Sequence, residues 1–166
     1  MSNKHTLSAF DEDIDNIRGL IAEMGSRAET ALTNAMLAMA TNDHDLALET
    51  AQGDKAIDAL EIEVEKLIVQ TIALRAPMAD DLRELIADLK MSAVIERIGD
   101  YSKNIAKRVR RLETRAFIEQ SDAIPRMAAI TGEMLRMVMD AYARRDVDMA
   151  KAVSERDNEV DQLFKE

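Results

Sequence analysis

The sequence predicts an all-α protein, and three features carry that prediction. Turn formers are scarce, with 5 Gly and 2 Pro in 166 residues. Aromatic residues make up 3% of the chain while Met numbers 11, a composition poor in the residues that favour strands. Apolar residues recur at spacings of three and four over long stretches, which is the helical period.

The first helix is predicted from about Leu7 to Ala40. Phe10, Ile14, Ile17, Ile21, Met24, Ala28, Ala31, Ala35 and Met39 share one face of it. Thr41-Asn42-Asp43 interrupts the pattern and supplies caps for a second helix from about His44 to Arg75. Ile57, Leu60, Val64, Leu67 and Thr71 line one side of that helix. Ala76-Pro77 ends it, because a residue before proline disfavours the helical region and proline suits a helix start. The third helix is therefore expected from Pro77 to about Leu112, with Leu82, Leu85, Ile86 and Leu89 as its buried stripe. Lys107, Arg108, Arg110 and Arg111 near its end read as a solvated C-terminus, where cations complement the helix dipole. Ser121 and Asp122 open a fourth helix with Pro125 in its first turn, ending near Arg145, and a fifth begins after Asp146. Breaks this short imply antiparallel neighbours in an up-down bundle.

An offset of 103 positions aligns Met24–Glu63 with Met127–Glu166 without a gap, with identities at 12 of 40 positions. Among them are Asp43/Asp146, Asp45/Asp148, Asp54/Asp157 and Asp58/Asp161, which shared helical composition does not explain. The chain is read as a tandem repeat. Residues 1–115 form a first three-helix bundle, and 116–166 form a partial second bundle of about two helices. The counterpart of the third helix would lie beyond residue 166, so the second bundle is expected to be incomplete, with Met134, Leu135, Val138, Val160 and Leu163 in need of cover.

Composition excludes several chemistries. With no Cys there is no disulfide, thiolate metal site or Cys nucleophile. His5 and His44 are the only imidazoles, and neither follows a Glu by three residues, so the ferritin-like di-iron pattern fails. No GxSxG, P-loop or GxGxxG motif is present, and the chain is not expected to be an enzyme. The net charge of −10 disfavours nucleic acid and favours cations or basic partners. The opening MSNKHTLSAFDEDID lacks the apolar core of a signal peptide, and no apolar run approaches a membrane span, so a cytoplasmic location is expected.

Three acidic pairs stand one helical turn apart, at Asp54/Asp58, Glu96/Asp100 and Asp157/Asp161. Carboxylates so placed repel one another unless a cation, a proton or a basic side chain lies between them. Glu96 and Asp100 follow Leu89 by seven and eleven residues, which places them beside the expected buried stripe. Across an antiparallel hairpin turning at Ala76-Pro77, Asp58 matches Glu96 in height and Asp54 matches Asp100. Two readings follow: one shared site for a hard cation such as Mg²⁺, Mn²⁺ or Fe, or a bridge from Arg97, Lys103 or another basic side chain that needs no metal.

The run Pro77-Met-Ala-Asp-Asp-Leu-Arg83, with Glu96-Arg-Ile-Gly-Asp100 and Asn104-Ile-Ala106 on the same helix, resembles the PhoU family of phosphate-signalling proteins. The opening His5-Thr-Leu-Ser-Ala-Phe10, the Gly25-containing first helix, the Asp54/Asp58 pair and the tandem repeat resemble it too. That resemblance implies two similar three-helix bundles and no enzymatic activity. It implies a cytoplasmic regulator that couples the phosphate-specific ABC transporter, through its ATPase subunit, to a phosphate-sensing histidine kinase. Such a regulator represses the starvation response when phosphate is plentiful, is a homodimer, and reaches the membrane only through its partners. It makes Asp54, Asp58, Glu96 and Asp100, with Asp157 and Asp161 in the second unit, candidate ligands for a divalent or ferric ion (Mg, Mn, Fe or Zn). The alternative function is a helical-bundle scaffold with no metal or phosphate-signalling role.

Overall fold

The computed structural model describes residues 2–109 and 123–165, with side chains from Ala9 onward. Five helices follow in order: α1 (Ser2–Thr41), α2 (His44–Arg75), α3 (Asp80–Val109), α4 (Ala123–Arg144) and α5 (Val147–Lys165). The expected boundary segment Glu113–Ser121, Arg110, Arg111 and the Ser121-Asp122 helix start lie outside the described residues.

The turns explain where the helices stop. Asn42 takes a left-handed conformation at φ 54°, and the Asp43 N–H donates back to the Ala38 carbonyl at 2.9 Å. The Asp43 carboxylate then accepts from the backbone N–H groups of Asp45 and Leu46 as the N-cap of α2. The same turn recurs one repeat later. Arg145 has φ 54°, the Asp146 N–H donates to the Ala141 carbonyl at 2.9 Å, and the Asp146 carboxylate accepts from the Met149 N–H. The tandem repeat is thus visible in backbone geometry as well as in side-chain identities.

The α2–α3 turn corrects one expectation. Ala76 and Ala79 are both left-handed, at φ 47° and 51°, so Pro77 lies between two reversals and does not start the next helix. Helix α3 begins at Asp80.

Helices α1, α2 and α3 each pack on the other two, and α4 packs on α1. Among the described residues α5 packs on α4 alone. In the first three helices the seam recurs at steps of three and four, with one step of seven on α2 from Ile57 to Val64, the spacing of left-handed coiled coils. On α1 it runs through Ile14, Ile17, Ile21, Met24 and Ala28, and on α2 through Ala47, Thr50, Asp54, Ile57, Val64, Ile68 and Thr71. On α3 it runs through Leu85, Asp88, Ser92, Ile95, Gly99, Ser102, Ala106 and Val109.

This α3 seam corrects the expected stripe. Leu85 is buried and Leu89 half-buried, but Leu82 and Ile86 are exposed. Ser92, Gly99, Ser102 and Ala106 share the seam with Leu85, Ile95 and Val109 and admit close helix approach, whereas Leu82 and Ile86 lie to its sides.

Helix α4 joins the same core. Leu135 belongs to the cluster built by Ile17, Ile21, Met24 and Ile57, with Val138, Met139 and Tyr142 against it. Gly25 permits that approach, since a Cβ there would lie 2.6 Å from Met139 Cε. Leu135 and Leu163 are buried while Met134, Val138 and Val160 are half-buried, their cover coming from α1 and the α4–α5 contact. Val147 and Phe164 remain exposed.

Candidate functional site

Asp54 occupies a seam position of α2 that would ordinarily hold an apolar residue, and its side chain is 3% exposed. It faces α3 at Gly99, where a Cβ would stand 3.3 Å from Asp54 Oδ1 and 2.9 Å from Ile57 Cδ1. Glycine gives the two helices a close approach there, since a Cβ would force the Ile57 side-chain tip and the Asp54 carboxylate to shift. Gly99 opposite Asp54 and Ile57 establishes the register in which Asp100 stands near Asp54 and Glu96 near Asp58.

The cation inside this cluster is Lys103. Its ammonium donates to Asp54 Oδ2 at 2.5 Å across the helix interface and to Asp100 Oδ1 at 2.8 Å one turn away on α3. Both bonds hold its proton, those to Asp100 and then Asp54 raising its pKa well above the ordinary lysine value. Arg97 is turned elsewhere, onto the hydroxyl and ring of Tyr101. Asp58 and Glu96 are both pushed upward in pKa, in each case by burial first, then by Asp54 for Asp58 and by Asp100 for Glu96. The four carboxylates expected to share a site on α2 and α3 thus do share one electrostatic neighbourhood.

Two oxygens in it lack partners. Asp54 Oδ1 and Asp58 Oδ1 are buried and accept no hydrogen bond. Carboxylate oxygen is the donor type that Mg²⁺, Mn²⁺ or Fe prefers. No group of three or more acidic or imidazole side chains among the described residues is arranged to hold an ion. Asp157 and Asp161 stand apart. Both are exposed on α5, one repeat away from Asp54 and Asp58.

A second polar node escapes the sequence reading. Asp88 is 1% exposed on the α3 seam. Its Oδ1 accepts from the Tyr142 hydroxyl of α4 at 2.9 Å, while Oδ2 has no partner. Burial raises the Asp88 pKa, helped by Glu84 and opposed by Tyr142 and Arg18. Beside it Glu84 accepts from Arg18 of α1 and, at 2.9 Å, from Arg145 at the α4–α5 turn. Its sequence signal was the three-four spacing of Leu85, Asp88, Ser92 and Ile95, which an apolar stripe drawn through the large aliphatic residues passes over.

No described helix is long and apolar enough to cross a membrane. The sequence matches the PhoU domain family over residues 21–109 and 124–166. It is 48% identical over 160 residues to a phosphate-specific transport system accessory protein PhoU homolog of Zymomonas mobilis, covering 96% of this chain and 68% of that one. It is 34% identical over 166 residues to the corresponding Escherichia coli accessory protein, covering 98% of this chain and 67% of that one. The fold is similar to a crystal structure of PhoU from Pseudomonas aeruginosa, with a TM-score of 0.86 and 28% identity, covering 94% of this chain and 75% of that one. The heptad seams, the acidic register across α2 and α3, and these similarities lead to one assignment: the chain belongs to the PhoU family.

Proposed function

We propose that the protein is an accessory regulator of phosphate transport that couples a phosphate-specific ABC transporter to a phosphate-sensing histidine kinase. It represses the starvation response when phosphate is plentiful. It does so from the cytoplasm, as a homodimer, by contact and not by catalysis; the protein is not an enzyme. The observation that carries the reading is the 48% identity, over nearly the whole chain, to a relative named for the phosphate-specific transport system. Deleting the gene is expected to derepress starvation genes in high phosphate, and restoring it to recover repression. Normal repression in the deletion strain would defeat the proposal.

Within that role, Asp54, Asp58, Glu96 and Asp100 are the residues that would hold a divalent or ferric ion. The support is the pair of unpartnered oxygens on Asp54 and Asp58. Such an ion would supply charge neutralisation between α2 and α3, clamping the two helices at one height. By mass action it raises stability, and the Tm should climb with its concentration. In Glu96→Gln with Asp100→Asn that climb should vanish while the metal-free protein loses no stability. The scaffold reading has its own support, because Lys103 already bridges Asp54 and Asp100. It is the reading that survives if no metal shifts the wild-type Tm.

A further inference from the structure

We propose that the outer face of the α2–α3 hairpin is a docking surface for a basic amphipathic helix of a partner protein. The surface needs no bound metal and stands apart from the metal-binding reading above.

Beside its buried seam each of the two helices carries a second heptad series. On α2, Asp58, Ile62, Glu65 and Val69 follow one another at steps of four, three and four. On α3, Leu82, Ile86, Leu89, Ala93, Glu96 and Asp100 do the same. Lys103 extends the α3 series by one more step and bonds Asp54 of α2, so both series flank the α2–α3 interface. Helix α2 packs on α1 and α3, and no other described helix reaches it. Ile62 and Val69 are accordingly 64% and 58% exposed, and Leu82 and Ile86 are exposed opposite them. Since Asp54 stands level with Asp100, antiparallel pairing sets Val69 level with Ile86 and Ile62 level with Ala93. Single exposed aliphatic residues are ordinary surface. Two adjoining series of them at heptad spacing are what the apolar face of a further helix packs into.

Charge selects the occupant. Beside and beyond the apolar stretch lie Asp58, Glu61, Glu65, Glu96 and Asp100, with Asp54 beneath them, against Lys55 and Lys103. Lys103 is taken up by Asp54 and Asp100. Asp58, Glu61, Glu65 and Glu96 make no ion pair with any described residue. The Asp54 side chain is 3% exposed, and its Oδ1, like Asp58 Oδ1, is buried without a hydrogen-bond donor. Lysine or arginine side chains brought in along this face supply both the donors and the charge that it lacks. A second copy of the chain would bring the same carboxylates, and nucleic acid or an anionic membrane would bring phosphates, so each is repelled. The occupant is a helix with apolar residues at i, i+3, i+4 and i+7 toward the α2–α3 turn and cationic residues toward Glu96 and Asp100.

Fluorescence anisotropy with the full chain tests this. The probe is a labelled synthetic helix of about 20 residues, long enough to span roughly 30 Å, with a leucine seam at one end and lysines at the other. One control probe scrambles that composition so that the seam is lost, and a second replaces lysine by glutamate. The basic amphipathic probe should bind, and either control should bind about tenfold more weakly or worse. Ile62→Ser with Val69→Ser should also weaken the first probe by about tenfold or more. Glu65→Gln with Glu96→Gln should weaken it and flatten its dependence on salt. Asp157→Asn with Asp161→Asn, which changes the net charge equally on α5, should leave it unchanged. No binding of the first probe overturns the proposal. Equal binding of the scrambled probe, or an equal loss in the α5 variant, also overturns it, by reducing it to attraction by net charge. Dimerisation of the wild type that Ile62→Ser with Val69→Ser abolishes would assign the face to a second copy and overturn it as well. If a variant does not fold, the wild type decides by methyl NMR: the Ile62, Val69 and Ile86 signals should shift on adding the first probe, and shifts confined to another face overturn the proposal.

Discussion

The α1–α2 and α4–α5 hairpins share a sequence register, a left-handed turn residue and a capping aspartate, yet their acidic pairs have opposite fates. Asp54 is buried under α3, bonded to Lys103 and packed on Gly99. Asp157, its equivalent, is exposed, and so is Asp161. The difference is the third helix. A pair of carboxylates one turn apart is ordinary solvated surface until a neighbour removes the water and brings its own charges. Local sequence placed both pairs identically; the neighbour made one of them a site.

Substituting equivalent residues in the two hairpins should measure that difference. The largest contrast is expected at Ile57 and Val160. Ile57 is 1% exposed between α2 and Gly99, so Ile57→Ala should cost about 2–5 kcal/mol in urea unfolding. Val160→Ala, at the half-buried equivalent, should cost under about 1 kcal/mol. Similar losses at both would mean that the second hairpin is as tightly enclosed as the first.

Next in size is the acidic pair itself. Asp54→Ala removes the Lys103 bond and should cost about 1–2 kcal/mol, since a hydrogen bond to a charged group is lost while the repulsion from Asp58 and Asp100 is relieved. Asp157→Ala should stay within about 0.5 kcal/mol of wild type. A large effect at Asp157 would reveal a partner on α5.

Two glycines should give opposite signs. Gly99→Ala places a methyl against Ile57 and Asp54 and should destabilise by about 1–3 kcal/mol. A methyl added at Gly132 on α4 would meet nothing within 4 Å, so Gly132→Ala should stabilise by about 0.5–1 kcal/mol through helix propensity. Thermal unfolding of both variants checks the signs.

The smallest effect is expected where the two regions meet. Asp88 has a raised pKa, so the folded chain holds its proton more tightly than the unfolded chain does. Stability from this group is therefore greatest at low pH and declines as pH rises above the ordinary aspartate value of 3.8 and through the folded value. Asp88→Asn removes the titration, and its Tm relative to wild type should rise between pH 4 and pH 7. A constant Tm difference across that range would mean that Tyr142 and Arg18 already compensate the ionised carboxylate.

Much of the framework was legible in residues alone. Thr41-Asn42-Asp43 and Arg144-Arg145-Asp146 announced their turns because left-handed geometry and aspartate capping are local events. The bounds of α2, His44 and Arg75, follow directly from such signals. The heights of Asp54 against Asp100 and Asp58 against Glu96 were also legible, because helical rise is constant and the hairpin has one turn. The α3 stripe was misplaced because Leu82 and Ile86 suggested a face that the packing does not use. Small residues carry little hydrophobic signal, yet Ser92, Gly99, Ser102 and Ala106 line the seam that lets the helices approach.

The sequence by itself determined the helices, their turns, the repeat and the co-level carboxylates, since each depends on residues close along the chain or on a fixed rise per residue. Only the tertiary structure decided which carboxylates lose their water, which lysine lies among them, and which face of α3 turns inward. Those outcomes depend on the distance between helices, and that distance is set by the side chains of all three at once: a Gly99 on one, an Asp54 on the next, and a Met24 on the third.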